Sequence, residues 1–216
     1  KEQGDAASRA IRQRLADITG QSLEDIYLFP SGMAANFAVH RMLTSVLPGR
    51  KTVQLDFPYV DVLKIQQHFG SGVHFLPFVG EADFERLRSI IKAEPLAGIF
   101  LEMPSNPLLK CIDVRRVTEM LFLEECDAPI IMDDTVATCV NVDAFLVADV
   151  VTTSLTKSFS GVGDVLAGSV ILNADSPYRD EFAAFLREQH DNELWRGDAV
   201  VLEQNSRDFV DRVRTM

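Results

Sequence analysis

The chain has 216 residues, of which 47% are hydrophobic and 25% are charged, and its formal net charge at pH 7 is −11. These values suit a globular protein with one sizeable α/β domain, and the acidic balance argues against nucleic acid or an anionic membrane as the main partner. No apolar run reaches the roughly 18 residues that a transmembrane helix needs.

The cysteines and histidines indicate neither disulfide bonds nor a metal site. Cys111, Cys126 and Cys139 are odd in number and lack CxxC or metal-site spacing, so we expect reduced thiols in an intracellular protein. The histidines form no HxxxH or HExxH pattern. Because no signal peptide is visible at Lys1, we predict a cytoplasmic protein.

The spacing of apolar residues predicts helices that alternate with short strands. Apolar positions 7, 11, 15 and 18 form one face of a first helix over residues 7–18. Further helices are predicted over residues 32–43, 60–68, 82–93, 115–124, 178–189 and 199–213. Strands are predicted over residues 52–55, 73–77, 96–101, 129–132, 147–153 and 167–172, and a short apolar run covers residues 26–29.

The predicted strands are continuous apolar runs. This pattern is typical of a mostly parallel sheet covered by helices on both faces, so we predict a three-layer α/β/α fold. In such sheets, ligands bind beyond the carboxyl ends of the strands, which share one edge. The polar residues that lie just past a strand end, and could converge there on one ligand, are Tyr59, Asn106, Asp133, Ser154, Thr156 and Lys157.

The stretch around Lys157 concentrates reactive side chains. The lysine lies in a turn between two predicted strands, with hydroxyl groups on both sides and glycines after it. A lysine in such a turn can be desolvated and lose its proton more easily, as a Schiff-base lysine requires. Taken alone, the stretch is equally consistent with a surface lysine in a polar loop.

The sequence at Ser31 and Gly32 predicts a helix start, and a helix start of this kind favours a phosphate. Ser31 can cap the helix, and the first free N–H groups, near Gly32 and Met33, favour an anion. An ordinary capped helix is the more common explanation of this pattern.

Two patterns suggest other ligands. Asp133 and Asp134 could hold Mg²⁺, although paired aspartates at strand ends are more often caps. Gly161 and Gly163 resemble part of a dinucleotide-binding loop, but Leu166 stands where a third small residue belongs, and a strand follows where a helix should.

Five ordered motifs resemble the Cys/Met-metabolism enzymes that use pyridoxal phosphate (PLP). They are Phe29-Pro-Ser-Gly-Met-Ala-Ala35, Phe57-Pro-Tyr59, Glu102-Met-Pro-Ser-Asn-Pro107, Met132-Asp-Asp-Thr135 and Ser154-Leu-Thr-Lys157. The longer strings over residues 57–64 and 154–161, and the tail over residues 202–209, look most like the fungal cystathionine γ-synthases.

The resemblance implies PLP as the cofactor and a set of residues around its ring. Lys157 would carry PLP as a Schiff base and move protons on the substrate. Tyr59 would stack on the ring and assist proton transfer, and Asp133 would pair with the ring nitrogen. Asn106 would hydrogen-bond the ring hydroxyl, and Thr135 would lie beside the ring.

The resemblance also implies a phosphate site, a fold and a reaction. Gly32 and Met33 would supply N–H groups to the phosphate, and Ser154 and Thr156 would supply hydroxyl groups. The fold would be the large domain of fold type I, similar to aspartate aminotransferase. The reaction would be a γ-replacement on O-acetyl- or O-succinyl-homoserine with cysteine, giving cystathionine in methionine biosynthesis. Another nucleophile, a γ-elimination, or a catalytically silent PLP-binding domain are the alternatives.

The chain departs from the family pattern at several points. The common Tyr-Gly-Gly reads Tyr59-Val-Asp61, Asp-Asn-Thr reads Asp133-Asp-Thr135, and Gly-His-Ser-Asp reads Gly161-Val-Gly-Asp164. An N-terminal Tyr-x-Arg segment and a C-terminal domain with a carboxylate-binding arginine are also missing. We therefore expect residues 1–175 to be the PLP-binding large domain and residues 176–216 a helical segment leading toward a C-terminal domain. The full protein would be a homodimer or homotetramer that acts on small amino acids.

Overall fold

A seven-stranded sheet organises the computed structural model, which describes residues 2–190 and 194–215. The strands are β1 (Ile26–Phe29), β2 (Lys51–Leu55), β3 (Val73–Leu76), β4 (Leu96–Glu102), β5 (Ile130–Asp133), β6 (Val150–Thr153) and β7 (Gly168–Leu172). Their order across the sheet is β1-β7-β6-β5-β4-β2-β3. The pairs among β2 to β6 are parallel, whereas β7 is antiparallel to β1 and β6. The prediction of a mostly parallel sheet is confirmed.

Helices cover both faces of this sheet. They are α1 (Glu2–Thr19), α2 (Gly32–Val46), α3 (Val60–His68), α4 (Glu81–Ala93), α5 (Val114–Leu123), α6 (Thr138–Asn141), α7 (Arg179–Gln189), α8 (Arg196–Asn205) and α9 (Phe209–Thr215). Buried residues of α2 and α7 form a core with one face of the central strands. Those of α4 and α5, together with α1, α8 and α9, cover the other face. Within the described residues, no helix is long and apolar enough to cross a membrane.

Strand β4 shows why continuous apolar runs predict the central strands. All of its residues are buried, and successive side chains of a strand point to opposite faces of the sheet. Ile99 and Leu101 therefore join the core under α4 and α5, whereas Phe100 joins the core under α2 and α7. Because both faces are covered, no position of this strand favours a polar residue until its carboxyl end.

Several predicted elements are wrong in their bounds, and the first helix begins at Glu2, five residues before the predicted start. Two of the differences have an identifiable cause. The predicted strand over residues 147–153 begins only at Val150, because a 3-10 helix occupies Ala144–Leu146 and the Val147 N–H donates to the Ala144 carbonyl at 3.2 Å. The predicted single helix over residues 199–213 is two helices, since α8 ends at Asn205 and α9 begins at Phe209.

The break between α8 and α9 lies at Ser206. Its hydroxyl donates to the Leu202 carbonyl at 2.7 Å and accepts a hydrogen bond from Arg14 Nη1 at 2.6 Å. A buried serine that bonds to backbone in this way competes with the regular helix. The Arg14 contact is made across 192 residues of chain, so local periodicity does not reveal it.

The last helices pack on the same domain. Phe182, Ala183 and Leu186 of α7 are fully buried beside α2, and Ala199 and Leu202 of α8 are buried in the cluster that contains α1. The division into residues 1–175 and 176–216 stays a prediction, and residues 191–193 and 216 of the second part lie outside the described residues.

Candidate active site

A cavity of about 330 Å³ opens at the carboxyl ends of the parallel strands, within the size range of small-molecule sites. The start of α2 and the ends of β4, β5 and β6 contribute to its walls. The predicted site residues that line it are Gly32, Met33, Tyr59, Asn106, Asp133, Thr135, Ser154, Thr156 and Lys157. The structure therefore brings every predicted site residue to one cavity.

The amino end of α2 points at this cavity. Ser31 caps the helix, and its hydroxyl oxygen accepts a hydrogen bond from the Ala34 N–H at 3.1 Å. Helix geometry leaves the N–H groups of Gly32 and Met33 without an intrahelical acceptor. Two free N–H groups at the positive end of a 15-residue helix form a site suited to an anion.

Close packing of backbone around Gly32 depends on two glycines. A Cβ atom at Gly32 would lie 2.8 Å from Ser154 Cβ. A Cβ atom at Gly168, in β7, would lie 2.7 Å from Gly32 N and would also overlap the Ser31 carbonyl. Real Cβ atoms do not approach this closely, so both positions need glycine to bring the start of α2 against the ends of β6 and β7. Gly168 was not predicted as part of the site.

Asp133 lies on the floor of the cavity at the end of β5. Its carboxylate accepts hydrogen bonds from the Thr135 N–H at 2.9 Å and from Asn36 Nδ2 at 3.3 Å. Burial raises the pKa of Asp133, and its bonds to Thr135 and Asn36 offset this in part. No lysine, arginine or histidine in the described part of the chain forms an ion pair with it. A partly buried carboxylate without a cationic partner is suited to a cationic ligand.

Asn36 connects the two ends of the cavity and was not predicted. Its Nδ2 donates both to Asp133 and to the Gly32 carbonyl at 3.1 Å, and its Oδ1 accepts from Thr152 Oγ1 at 3.2 Å. Only 5% of the residue is exposed. The sequence carries one signal, since a lone amide interrupts the buried apolar face formed by Ala35, Ala38 and Val39.

Asp134 lies on the opposite side of the sheet from Asp133 and does not line the cavity. It is 1% exposed, and its carboxylate accepts a hydrogen bond from the Thr153 hydroxyl. Burial raises its pKa to about 7. The two aspartates therefore cannot hold one Mg²⁺ together, and no cluster of three His, Cys, Asp or Glu side chains among the described residues could hold a metal ion.

Glu102 belongs to one of the five motifs, but no role was predicted for it from the sequence. It ends β4 and is the register partner of Asp133 in β5. Its carboxylate accepts a hydrogen bond from the backbone N–H group of Tyr59, and the backbone of Asn106 lowers its pKa slightly. Burial raises its pKa to about 7, and the nearby charge of Asp133 adds to the shift. One buried carboxylate therefore anchors the loop of Tyr59 and lines the same cavity as Asn106.

Tyr59 and Asn106 lie at the mouth of the cavity. Tyr59 precedes the first residue of α3, and 54% of the residue is exposed. Asn106 is exposed as well. An aromatic ring with a free face at the mouth of a cavity can stack on a flat ligand.

Lys157 also lies at the mouth, in the turn over residues 155–160 that follows β6. The turn is closed by hydrogen bonds from the Ser160 N–H to the Leu155 carbonyl at 3.0 Å and from the Gly161 N–H to the Lys157 carbonyl at 2.8 Å. The side chain of Lys157 is exposed. Of the two alternatives that the sequence left open for this stretch, the chain alone shows a surface lysine in a polar turn.

The hydroxyl groups beside Lys157 differ in what they can donate. Thr156 Oγ1 donates to the Ala167 carbonyl at 3.2 Å and accepts from the Ala167 N–H at 3.0 Å, so its proton is directed to backbone. The Ser154 hydroxyl makes no hydrogen bond within the described residues, and the Ser154 N–H donates to Thr135 Oγ1 at 2.8 Å. Ser154 is the better donor for an anion in this geometry.

Comparison with known proteins identifies the family and its cofactor. The family model for Cys/Met metabolism PLP-dependent enzymes matches residues 3–193. The chain belongs to this family. It is 40% identical over 197 residues to a cystathionine gamma-synthase of Neurospora crassa, covering 88% of this chain and 31% of that relative. It is 35% identical over 208 residues to the cystathionine gamma-synthase-like enzyme iboG1 of Amanita muscaria, covering 93% and 34%.

A solved structure shows the same fold. The methionine gamma lyase CalE6 from Micromonospora echinospora matches with a TM-score of 0.71 and 26% identity, over 91% of this chain and 51% of that one. The predicted family, the fold type and PLP as the family's cofactor are confirmed. The chain spans about a third of the length of the curated relatives named above.

The cavity fits PLP on three features of the structure. The free N–H groups at Gly32 and Met33 suit a phosphate, and the tight approach at Gly168 holds them in place. The carboxylate of Asp133, which is partly buried and has no cationic partner among the described residues, suits a protonated ring nitrogen. Among the lysines of the described chain, Lys157 alone lines the cavity.

The buried carboxyl groups predict a stability that depends on pH. Burial raises the pKa values of Glu102 and Asp134 to about 7, and it also raises the pKa of Asp133. An acid with a raised pKa binds its proton more tightly in the folded chain than in the unfolded chain. Its contribution to stability is therefore greatest below its ordinary pKa near 4 and is lost as the pH rises toward 7.

We expect the unfolding free energy of the chain without PLP to fall between pH 5 and pH 8, with Asp134 contributing about 2 kcal/mol. Urea unfolding at both pH values measures this. Asp134→Asn should remove that part of the fall, whereas Asp175→Asn, at an exposed site, should keep it. Burial lowers the pKa of His40 from its ordinary value of 6.5, so His40 makes the unfolding free energy rise with pH below that value. His40 is present in both variants, so the difference between the two variants measures the contribution of Asp134. An equal fall in both variants would contradict the prediction.

Proposed function

We propose that this chain is the cofactor-binding part of a PLP-dependent γ-replacement enzyme of the cystathionine γ-synthase type. In this reaction an O-acyl-homoserine and cysteine give cystathionine and the free carboxylic acid. The Cγ–O bond of the ester breaks, and a bond from Cγ to the cysteine sulfur forms. The observation that carries the proposal is that residues from five separate motifs line one cavity at the strand ends.

The proposed phosphate site is the start of α2. The N–H groups of Gly32 and Met33 and the hydroxyl of Ser154 would bind the phosphate oxygens, because they point into the cavity and are free to donate. Thr156 is assigned a secondary role, since its hydroxyl proton is directed to Ala167. It would bind the phosphate only if its side chain exchanged that bond for one to the ligand.

The proposed ring site is the cavity floor and mouth. The Asp133 carboxylate would pair with the ring nitrogen and keep it protonated, which is how a bound PLP becomes an electron sink. Asn106 would hydrogen-bond the ring hydroxyl, and Thr135 would lie beside the ring. Tyr59 would stack on the exposed face, which removes its aromatic surface from water.

Lys157 is the proposed catalytic residue, and Tyr59 assists it. The Lys157 amine would hold the cofactor and then accept the proton from substrate Cα and a second one from Cβ. Once sulfur has added to Cγ, both protons would be returned to the substrate, one to Cβ and one to Cα. The exposed position of Lys157 at the cavity mouth gives its amine room to move between these carbons. Asn36 and Glu102 would act by positioning Asp133 and the loop of Tyr59.

Cofactor binding is tested by adding PLP to the purified chain. We expect a visible absorption band that borohydride removes, with the added mass on the peptide that contains Lys157. Peptide mapping locates the mass. The lysine of α4, Lys92, is exposed and distant from the cavity, and its peptide is the internal control. Mass spread evenly over exposed lysines would contradict the proposal.

The reaction is tested with the full-length enzyme. O-acetyl- and O-succinyl-homoserine are each supplied with cysteine or with sulfide, and the amino-acid products are identified by mass. Cystathionine supports the proposal, whereas homocysteine, or a keto acid with ammonia, indicates a sulfhydrylase or a γ-lyase. The likeness to a methionine gamma lyase is the observation that keeps elimination as the second candidate. Absence of turnover with any pair would indicate a catalytically silent PLP-binding domain.

The proposal extends to the assembly and location of the full protein. We propose a homodimer or homotetramer in the cytoplasm, with residues 1–175 as the PLP-binding domain and residues 176–216 leading toward a C-terminal domain. Analytical ultracentrifugation of the full-length protein measures the assembly.

A further inference from the structure

The last described helix, α9, packs directly on the turn that carries Lys157. The rings of Phe209 in α9 and Phe159 in the turn lie with their centroids 4.9 Å apart, and each residue is 2% exposed. Leu155 of the turn and Val213 of α9 are buried in the same cluster. The underside of the turn is therefore formed by residues about 50 positions later in the chain.

Arg212 in α9 binds the carbonyl groups of this turn. Its Nη2 donates to the Ser158 and Phe159 carbonyls at 3.2 and 3.1 Å, and its Nη1 donates to the Ser160 carbonyl at 3.5 Å. The Arg212 side chain is 27% exposed, and Asp208 lies 3.4 Å away as its ion-pair partner. A planar guanidinium can serve several acceptors at once, which an ammonium group cannot do with the same geometry.

Two further contacts support this arrangement. Gly161 has a φ of +75°, and a Cβ atom there would lie 2.6 Å from Arg212 Cζ, so a glycine is needed for both the turn and the guanidinium. Asn205 at the end of α8 donates from Nδ2 to Ser160 Oγ at 3.2 Å and to Asp164 Oδ1 at 2.8 Å. The arginine thus acts beside a second polar contact to the same turn.

We propose that Arg212 is a positioning residue that fixes the Lys157 turn. Arg212 does not line the cavity, so it acts through the backbone of the turn and not on the ligand. The consequence for PLP rests on the proposed role of Lys157. Because Lys157 is exposed and is held mainly by the backbone of its turn, loosening the carbonyls at residues 158–160 moves the point from which its side chain reaches into the cavity.

The test compares Arg212→Met with Arg214→Met. The first removes the guanidinium but keeps an unbranched apolar stem, and the second makes the same change at an exposed position of α9. Hydrogen–deuterium exchange is measured on the chain without PLP, in peptides that cover residues 155–163. Because several charge-assisted hydrogen bonds are lost, we expect exchange in Arg212→Met to be about tenfold faster or more. Arg214→Met should match the parent.

Trapping with PLP and borohydride then measures whether loosening the turn changes the reactivity of Lys157. We expect the rate of mass addition at Lys157 to fall in Arg212→Met and to recover in part in Arg212→Lys, which keeps a positive charge. If Arg212→Met fails to fold, Arg212→Lys against Arg214→Lys repeats the exchange comparison with a smaller expected change.

The outcomes separate this inference from the proposed function. Equal exchange in Arg212→Met and Arg214→Met, or faster exchange spread over the strands as much as the turn, overturns it. Faster exchange confined to the turn supports it, even if the parent chain is not fixed by PLP at Lys157. That last result would contradict the proposed function alone.

Discussion

Replacing Lys157 by alanine is expected to abolish the PLP adduct and to lower turnover of the full-length enzyme by about 10⁴-fold, the upper range for loss of a general acid–base group. The fold should be unaffected. Lys157 is exposed, and its amine forms no ion pair with the described residues. Substitution at such a surface position changes the unfolding free energy by no more than about 0.5 kcal/mol.

Absorption spectra with PLP and peptide mapping after borohydride measure the adduct, product formation from an O-acyl-homoserine and cysteine measures turnover, and urea unfolding measures stability. Lys92→Ala is the matched control, because Lys92 is also exposed but lies on α4, away from the cavity. Lys157→Arg keeps the positive charge and should lose the PLP adduct and turnover to the same extent as Lys157→Ala. Retained turnover in Lys157→Ala would contradict the proposal that Lys157 is the catalytic residue.

The convergence of the site could be predicted from the sequence because it follows from strand direction. Strands β4, β5 and β6 are adjacent and parallel, so the polar residues after each of them reach the same edge. Asn106, Asp133 and Lys157 are found at this edge by locating where an apolar run ends. The start of α2 can be recognised as well, because the Pro-Ser-Gly sequence marks a helix start.

The contacts that hold these residues could not be predicted, because they join distant parts of the chain. Asn36 and Asp133 are 97 residues apart, and the hydroxyl of Thr152 reaches Asn36 across 116 residues. Glu102 bonds to Tyr59 across 43 residues. Hydrophobic periodicity reports which face of an element is buried, but it does not report which polar partners two buried faces bring together.

The surroundings of Lys157 also could not be predicted from the local sequence. Its hydroxyl neighbours suggest a polar, desolvated turn, but the lysine is exposed and Thr156 bonds to the backbone of Ala167. The guanidinium beneath the turn belongs to Arg212 in α9. That helix was predicted as the end of a longer one, since the break at Ser206 depends on a contact with Arg14.

Asp133→Asn is expected to change stability and catalysis in opposite directions. The carboxylate is partly buried and has no cationic partner among the described residues. Its partial burial raises its pKa, so its charge lowers the stability of the chain without PLP at neutral pH. The near-isosteric amide removes that charge and should raise the unfolding free energy at pH 7. It has one acceptor oxygen where the carboxylate has two, so the bond to Asn36 is kept only when the Asn36 amide turns over. The gain should shrink toward pH 4, where Asp133 is protonated in the unfolded chain as well. With PLP, the amide cannot keep the ring nitrogen protonated, and turnover of the full-length enzyme should fall by about 10²- to 10³-fold.

Asp134→Asn is the matched control for these opposite effects on stability and turnover. It makes the same change at the next residue, which is buried and also has a raised pKa but faces the other side of the sheet. It should share the gain in stability at neutral pH and leave turnover near that of the parent. Urea unfolding from pH 4 to pH 8 and turnover with an O-acyl-homoserine measure both effects. Equal loss of turnover in the two variants would show that the pair acts through the structure of the strand end and would contradict a direct contact between Asp133 and the ring.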